Sequence, residues 1–390
     1  FAHRLTQALA IGSLQRMLMA LVVVAIIVAL APFVANPGSP NWPSPQPLPL
    51  LGWTLWLVMM ACAVSALFVY RQRLLAVLVL GGVGLMVSLT FVFLSAPDLA
   101  LTQLLVEMVT LVLMLLGMNY LPAQSAPEHS RWRKRRDALI AIIGGGGLAA
   151  AAYTAMTLPP NTMAGELVAR ALPEAYGQNV VNVILVDFRG YDTFGEITVL
   201  GIAAIGVLAL MDGMRSRRPL ADPQGLAWTF AAQPLMLRVA ASVVLPLALV
   251  FTLYIFMRGH NLPGGGFIAG LITAVALVLQ FMALGQANAE AMLRAQSGRR
   301  FVRWIGAGLS IAGLTGAGAF FWSRPFMTSA HGHPHVPLLG ELPLASAALF
   351  DLGVYLTVVG STLLTISVLG SVSREGEPSS TLTATAGGQS

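Results

Sequence analysis

Residues 93–120 read FLSAPDLALTQLLVEMVTLVLMLLGMNY and combine a nearly uninterrupted apolar run with two carboxylates. Asp98 stands at the start of the run and Glu107 stands in its middle. A helix needs about 20 apolar residues to cross roughly 30 Å of hydrocarbon, and the run that begins at Pro97 is long enough. The stretch therefore predicts a membrane-spanning helix that carries a carboxylate near its centre.

The whole chain has the composition of a membrane protein. Of its 390 residues, 56% are hydrophobic and 10% are charged, whereas soluble domains carry about 25% charged residues. We expect an all-α, polytopic fold with about ten transmembrane helices. The expected spans are Met17–Ala35, Leu50–Tyr70, Leu74–Ser95, Pro97–Met118, Asp137–Leu158, Tyr191–Met211, Leu237–Met257, Gly265–Leu284, Arg303–Trp322 and Leu349–Gly370. The single cysteine, Cys62, excludes an internal disulfide.

A polar stretch rich in proline and glycine separates the predicted spans into two groups. It reads SRRPLADPQG, at 216–225. We expect a six-helix region over 1–220, a four-helix region over 221–374 and a disordered tail over 375–390, because the tail is polar and built from small residues. The chain begins with Phe1, so we expect it to be a piece of a longer protein.

The basic residues predict the orientation of the chain in the membrane. If the N-terminus is cytoplasmic, only four of the 22 lysines and arginines fall on the outer side, namely Arg170, Arg189, Arg258 and Arg324. Basic residues are enriched in cytoplasmic loops, so this orientation is the expected one. The net charge of +6 is then explained by topology and by anionic lipids, and it does not indicate a nucleic-acid partner.

Glu107 is the first candidate for function. An acidic side chain at the centre of a spanning helix costs about 2.5–3.5 kcal/mol on insertion scales, so such residues usually serve a function. Removal from water favours the protonated form of a carboxyl group, which lets it load and release protons. Gln103 and Thr110 share its face, and Thr102 lies nearby. The alternative is a protonated glutamate that only hydrogen-bonds a neighbouring helix.

Four further acids extend the candidate pathway. Asp192 and Glu196 are four residues apart in the sixth span, so they share a helix face nearer the outer surface. Asp192 also fits a helix N-cap. For Asp98 a helix-start role is favoured, and Asp351 fits either first-turn stabilisation or a pathway role.

Other motifs point away from catalysis. His331, His333 and His335 lack a carboxylate or cysteine at ligand spacing, so we expect no metal site. The glycines of PGGGF, at 263–267, and of GGGG, at 144–147, predict close backbone approach. No catalytic triad, dinucleotide fingerprint or haem motif is present, so we expect neither an enzyme nor a cofactor.

Four motifs carry a resemblance to a known family. FLSAPDLALTQLLVE (93–107) and VNVILVDFRGYDTFGEITVLGI (181–202) resemble the C-terminal part of the large A subunit of Mrp-type cation/proton antiporters. That region is related to a membrane subunit of NADH dehydrogenase and to small subunits of membrane-bound hydrogenases. RGHNLPGGGFIAGLI (258–272) and LFDLGVYLTVVGSTLL (349–364) resemble the B subunit. The chain as a whole is similar to a fused A/B subunit without the antiporter-like domain that begins the A subunit.

The resemblance implies exchange of cytoplasmic Na⁺, Li⁺ or K⁺ for external protons in the inner membrane of a bacterium. It implies partnership with the small membrane subunits C to G, the antiporter-like D subunit and membrane lipids. It implies a proton or cation pathway role for Glu107 and Glu196, and only an assembly role for the four-helix region. A redox-driven ion pump and a scaffold for the antiporter-like domain are the alternatives.

Overall fold

The computed structural model describes residues 14–35, 47–118, 124, 130–157, 162–211, 235–293, 299–332, 335–336, 340–341 and 344–372. Ten helices of these described ranges are long and apolar enough to cross a membrane. The prediction of an all-α, polytopic fold with about ten spans is therefore confirmed. The predicted tail at 375–390 and the polar stretch at 216–225 lie outside the described residues.

Helices account for most of the described chain. In chain order they are α1 Leu14–Ala35, α2 Leu50–Val69, α3 Arg73–Phe93, α4 Pro97–Met118, α5 Arg131–Thr157, α6 Ala164–Ala175, α7 Val180–Val183, α8 Gly190–Met211, α9 Leu235–Arg258, α10 Gly266–Leu284, α11 Gln286–Met292, α12 Arg299–Gly318 and α13 Ser346–Val372. A π-helical turn, Ile184–Phe188, continues α7, and a 3₁₀ turn, Ala319–Trp322, continues α12.

Four two-residue strands lie between α12 and α13. They are β1 His331–Gly332, β2 His335–Val336, β3 Gly340–Glu341 and β4 Leu344–Ala345. β1 pairs antiparallel with β4, and β2 pairs antiparallel with β3. The strands form nested ribbons that lead directly into α13.

Several helices begin earlier than their predicted apolar runs, and α5 and α13 are two of them. α5 starts at Arg131, six residues before the predicted Asp137, because the basic residues of this run are good helix formers. α13 starts at Ser346 and not at Leu349. This second difference changes the position of Asp351 within its helix.

The described chain divides into two compact units, 1–49 with 125–162 and 50–124 with 163–390. In the first unit α1 and α5 pack together. A Cβ atom at Gly144 would lie 2.6 Å from Ile26 Cδ1, and one at Gly147 would lie 2.5 Å from Leu30 Cδ1. The close helix approach predicted for GGGG is confirmed.

In the second unit α3 and α4 form a tight antiparallel pair. Ser95 in the connecting turn adopts a φ of 60°, and the Ala96 N–H donates to the Phe91 carbonyl. The Ser88 hydroxyl donates to the Ala100 carbonyl at 2.8 Å and joins the two helices below the turn. The predicted spans Leu74–Ser95 and Pro97–Met118 leave room only for a tight turn at SAP (95–97), and this turn is confirmed.

The core of the second unit lies among α8, α10, α12 and α13. Phe301, Ile305 and Leu363 are buried there with 1% or less of their surface exposed. α12 and α13 approach most closely at Gly308 and Gly353, because a Cβ atom at Gly353 would lie 2.6 Å from the Gly308 carbonyl oxygen. The fold therefore depends on glycine at this crossing.

Gly353→Ala is expected to separate α12 from α13, since the new methyl group would meet backbone atoms that cannot rotate away. We expect a loss of about 1–3 kcal/mol in the free energy of unfolding, measured as a lower Tm of the purified complex. Gly306→Ala is the matched control, because no described atom lies within 4 Å of a Cβ at Gly306. Equal Tm values for the two variants would contradict the role given to the crossing.

Candidate functional site

Glu107 lies on α4 and faces the neighbouring helix α3. Its carboxylate covers Gly84, where a Cβ atom would collide with Glu107 Oε2 and Cδ. Gly84 is buried and Glu107 is half-buried. No hydrogen bond or ion pair to Glu107 exists within the described ranges. The Glu107 carboxylate therefore lies against the backbone of Gly84, between two apolar helices, and it has no hydrogen-bond or ion-pair partner among the described residues.

Thr102, Gln103 and Asp98, predicted to accompany Glu107, make no hydrogen bond to it among the described residues. The Thr102 hydroxyl donates to the Asp98 carbonyl at 2.9 Å, within its own helix. Gln103 is half-buried. Asp98 stands in the first turn as predicted, but its carboxylate does more than stabilise the helix start: Oδ1 accepts the Gly264 N–H at 2.8 Å. Asp98 therefore joins α4 to the segment before α10.

Asp351 reaches the same glycine segment from α13. Its carboxylate lies beside the backbone of Gly265 and Gly266 and close to the Asn182 side-chain amide. Asp351 and Asn182 are buried, with 9% and 8% of their surface exposed. Because α13 begins at Ser346, Asp351 lies about one and a half turns inside the helix, so the first-turn alternative for this residue was wrong.

The glycines at 264–266 permit this convergence. Gly265 adopts a φ of +100°, which side-chain-bearing residues rarely take. A Cβ atom at Gly266 would collide with the Asp351 carbonyl oxygen. The predicted close backbone approach of PGGGF is confirmed, and two buried carboxylates hold the resulting turn.

The second pair of predicted acids is exposed. Asp192 pairs with Arg189 through Oδ2 and Nη2. Glu196 is exposed one turn later on α8, and a Cβ at the adjacent Gly195 would have no described atom within 4 Å. This part of α8 therefore presents a carboxylate on an open surface of an apolar helix.

A buried carboxylate at Asp187 was not singled out from the sequence. Asp187 Oδ1 accepts the Ser329 N–H at 3.0 Å, and its Oδ2 lies 3.7 Å from His331 Nε2. Asp187 lies in the π-helical turn, where the Leu185 carbonyl accepts the Thr193 hydroxyl at 2.7 Å. The sequence signal for this site is an aspartate between apolar residues, in ILVDF at 184–188. His333 lies outside the described residues, as does the side chain of His335.

An ion-paired cluster lies outside the spans, on α6. Arg170 donates to Glu174 at 2.7 Å and to Glu166 at 3.1 Å. The hydrogen bond from Arg170 holds the pKa of Glu174 below its usual value. This ion pair is lost only in acid, as the pH falls through that lowered pKa. Glu107 differs from these glutamates because no cation among the described residues neutralises it.

Three family domains match consecutive parts of the chain. A domain described as the D subunit of MBH matches residues 58–123, and one described as the E subunit of MBH matches 132–225. A domain related to the MnhB subunit of Na⁺/H⁺ antiporter matches residues 236–364.

Curated relatives agree with these matches. The A/B subunit of a probable K⁺/H⁺ antiporter from Rhizobium meliloti is 42% identical over 81% of this chain and 34% of its own length. The B subunit of a Na⁺/H⁺ antiporter from Bacillus subtilis is 43% identical over 35% of this chain and 92% of its own length. This chain belongs to the A/B subunit family of Mrp-type antiporters.

A solved structure of this family has the same fold. The structure of the Mrp complex from Dietzia sp. DQ12-45-1b superposes with a TM-score of 0.76 at 30% identity, over 97% of this chain and 41% of that chain. The chain spans about a third of the length of the Rhizobium meliloti relative. Asp98, Asn182 and Asp351 each lie in a different matched domain, so all three domains meet at Gly264–Gly266.

Asp98→Ala is expected to leave the buried Gly264 N–H without an acceptor. We expect it to cost about 1–3 kcal/mol in the free energy of unfolding, whereas Asp98→Asn keeps an acceptor oxygen and most of the stability. Thermal unfolding of the purified complex measures both. Asp137→Ala is the control, because this aspartate is exposed and pairs with its neighbour Arg136; an Asp98→Ala complex as stable as this control would refute the assignment.

Proposed function

We propose that this chain is part of a multisubunit secondary transporter that exchanges cytoplasmic Na⁺, K⁺ or Li⁺ for external protons. The observation that carries the proposal is the Glu107 carboxylate, which lies in a spanning helix against Gly84 and has no partner among the described residues. Such a group can exchange a proton for a cation without first breaking a salt bridge. The names of the antiporter relatives support the same reaction class.

The pathway is proposed to contain two stations. Glu107, with Gln103 and Thr102 nearby, accepts an ion inside the membrane. Asp192 and Glu196 form the second station nearer the outer surface, where they are exposed on α8. The membrane potential drives charge movement between the stations at about 2.3 kcal/mol per charge per 100 mV.

The same proposal assigns the partners and the membrane orientation. An exposed carboxylate on an apolar spanning helix is costly against lipid, so Glu196 supports a neighbouring subunit on this face. The partners are the small subunits C to G, the D subunit and membrane lipids of a bacterial inner membrane. The N-terminus of the chain is cytoplasmic. Residues 1–220 are proposed to form the A-type region and residues 221–374 the B-type region, a division that the matches at 58–123, 132–225 and 236–364 support.

A redox-driven ion pump is the second candidate. The matches to the D and E subunits of MBH over 58–123 and 132–225 favour it, while the fused A/B relative and the MnhB-related match favour an antiporter. Co-purification of an iron–sulfur or nickel subunit with the full-length protein would decide for the pump.

Glu107→Gln in the intact complex is expected to abolish antiport, because the amide cannot release a proton. We expect the initial rate of Na⁺- or K⁺-dependent pH change in everted vesicles to fall at least about 100-fold. Glu166→Gln is the matched control, since Glu166 is exposed on α6 outside the spans. Normal antiport by a fully assembled Glu107→Gln complex removes Glu107 from the pathway.

Glu196→Gln separates transport from a scaffold role. The proposed pathway predicts slower antiport with the same set of co-purified subunits. A scaffold predicts loss of subunits from both the Glu107 and the Glu196 variants, which native gel electrophoresis of the purified complex measures directly.

A further inference from the structure

Three hydroxyl groups from three helices form a buried chain inside the B-type region. The Thr273 hydroxyl on α10 donates to Thr252 Oγ1 on α9 at 3.2 Å, and lies 3.1 Å from the Tyr355 hydroxyl on α13. Thr252 and Thr273 are 4% and 3% exposed. Because Thr273 has one hydroxyl hydrogen and gives it to Thr252, Tyr355 donates to Thr273. The chain therefore has one direction, from Tyr355 through Thr273 to Thr252.

The hydroxyl chain begins one helical turn after Asp351. Asp351 and Tyr355 are four residues apart on α13 and share a face. Gly266, which contacts Asp351, and Thr273, which contacts Tyr355, are about two turns apart on α10. Along both helices, the contact with the Asp351 carboxylate therefore comes before the contact between the Thr273 and Tyr355 hydroxyls. No hydrogen bond joins Asp351 to Tyr355 among the described residues, so a water molecule must connect the carboxylate to the hydroxyl one turn away.

Polar groups continue along α10 beyond the hydroxyls. Gln280 lies about two further turns along the helix, is 3% exposed, and donates its side-chain amide to the Ala241 carbonyl of α9. Pro246 in α9 has no N–H, so the Ser242 carbonyl loses its usual intrahelical donor. Near the far end of the bundle, the Ser367 hydroxyl donates to Glu290 Oε1 at 2.6 Å. A carboxylate thus stands at each end of a line of buried polar groups.

We propose that this polar line is a proton route through the B-type region, distinct from the Glu107 and Glu196 stations. It runs from Asp351 through Tyr355, Thr273 and Thr252 toward Gln280 and Glu290. The inference rests on the proposed antiport function, and it gives the B-type region a transport role where the resemblance implied assembly alone.

Each step of the route conserves protons. Asp351 releases its proton to a water molecule, which passes one to Tyr355; each hydroxyl accepts a proton on a lone pair while passing its own proton on, and Thr252 passes its proton to water. Asp351 is left as a carboxylate, which the Gly266 N–H and Asn182 stabilise. Leu277, 6% exposed, fills the turn between Thr273 and Gln280, so the inner half passes a proton only when water enters that turn. Leu277 is therefore the gate of the route.

Thr273→Val tests the route, because it removes the central hydroxyl and keeps the shape of the side chain. In everted vesicles that contain the complete complex, we expect the initial antiport rate to fall at least about tenfold, as for loss of one proton-transfer group. Tyr355→Phe should have the same effect, and Thr273→Ser should restore the rate. The solvent isotope effect on the rate should rise in the slowed variants, which a purely structural role would not change.

Thr357→Val is the matched control. Thr357 is a fully buried threonine of α13, and its hydroxyl donates to the Gly353 carbonyl of the same helix at 2.9 Å. We expect this variant to transport at the wild-type rate. A wild-type rate in Thr273→Val overturns the proton route, and so does a slowed Thr273→Val complex that has lost subunits. If Glu107→Gln is inactive while Thr273→Val is normal, the route fails and the proposed function stands.

Discussion

The turn at Gly264–Gly266 is the contact on which the rest of the second compact unit depends. The first N–H groups of a helix have no partner within the helix, and hydrocarbon offers no water to replace one. Asp98 accepts the Gly264 N–H, and the Asp351 carboxylate lies beside the Gly266 backbone. A carboxylate at a helix N-terminus is also favoured by the helix dipole. Asp98 and Asp351 thereby lie beside the N-terminus of α10, where its backbone N–H groups favour a negative charge.

This arrangement separates the acids of the chain into two groups. Asp98 and Asp187 each accept a hydrogen bond from a backbone N–H, and Asp351 lies against the backbone of Gly266. Their contacts fix α4, the π-helical turn and α13 in place. Glu107 and Glu196 have no such bonds among the described residues. Glu107 lies against Gly84, and Glu196 lies on the open surface beside Gly195. The first group provides a frame between the helices, from which Asp351 also begins the proposed proton route, and the second group can exchange its ion without breaking such contacts.

The sequence predicted the features that depend on neighbouring residues. Spans follow from the length of apolar runs, and the SAP turn and the small-residue contact at Gly144 and Gly147 follow from local steric limits. The bond between Asp98 and Gly264 joins residues 166 positions apart, so no periodic pattern could reveal it. A first-turn role was one of two alternatives for Asp351 because the apolar run begins only at Leu349, whereas the helix begins at Ser346. Asp187 was missed because its hydrogen-bond partner, the Ser329 N–H, lies 142 positions away along the chain.

The central claim is that Glu107 exchanges a proton for a cation, and infrared difference spectroscopy of the purified complex in lipid measures this exchange most directly. Adding Na⁺ or K⁺ to the wild-type complex should remove a band of a protonated carboxyl group as Glu107 loses its proton. The same band should be missing from Glu107→Gln and present in Glu166→Gln. A cation-dependent carboxyl band that is unchanged in Glu107→Gln would contradict the account.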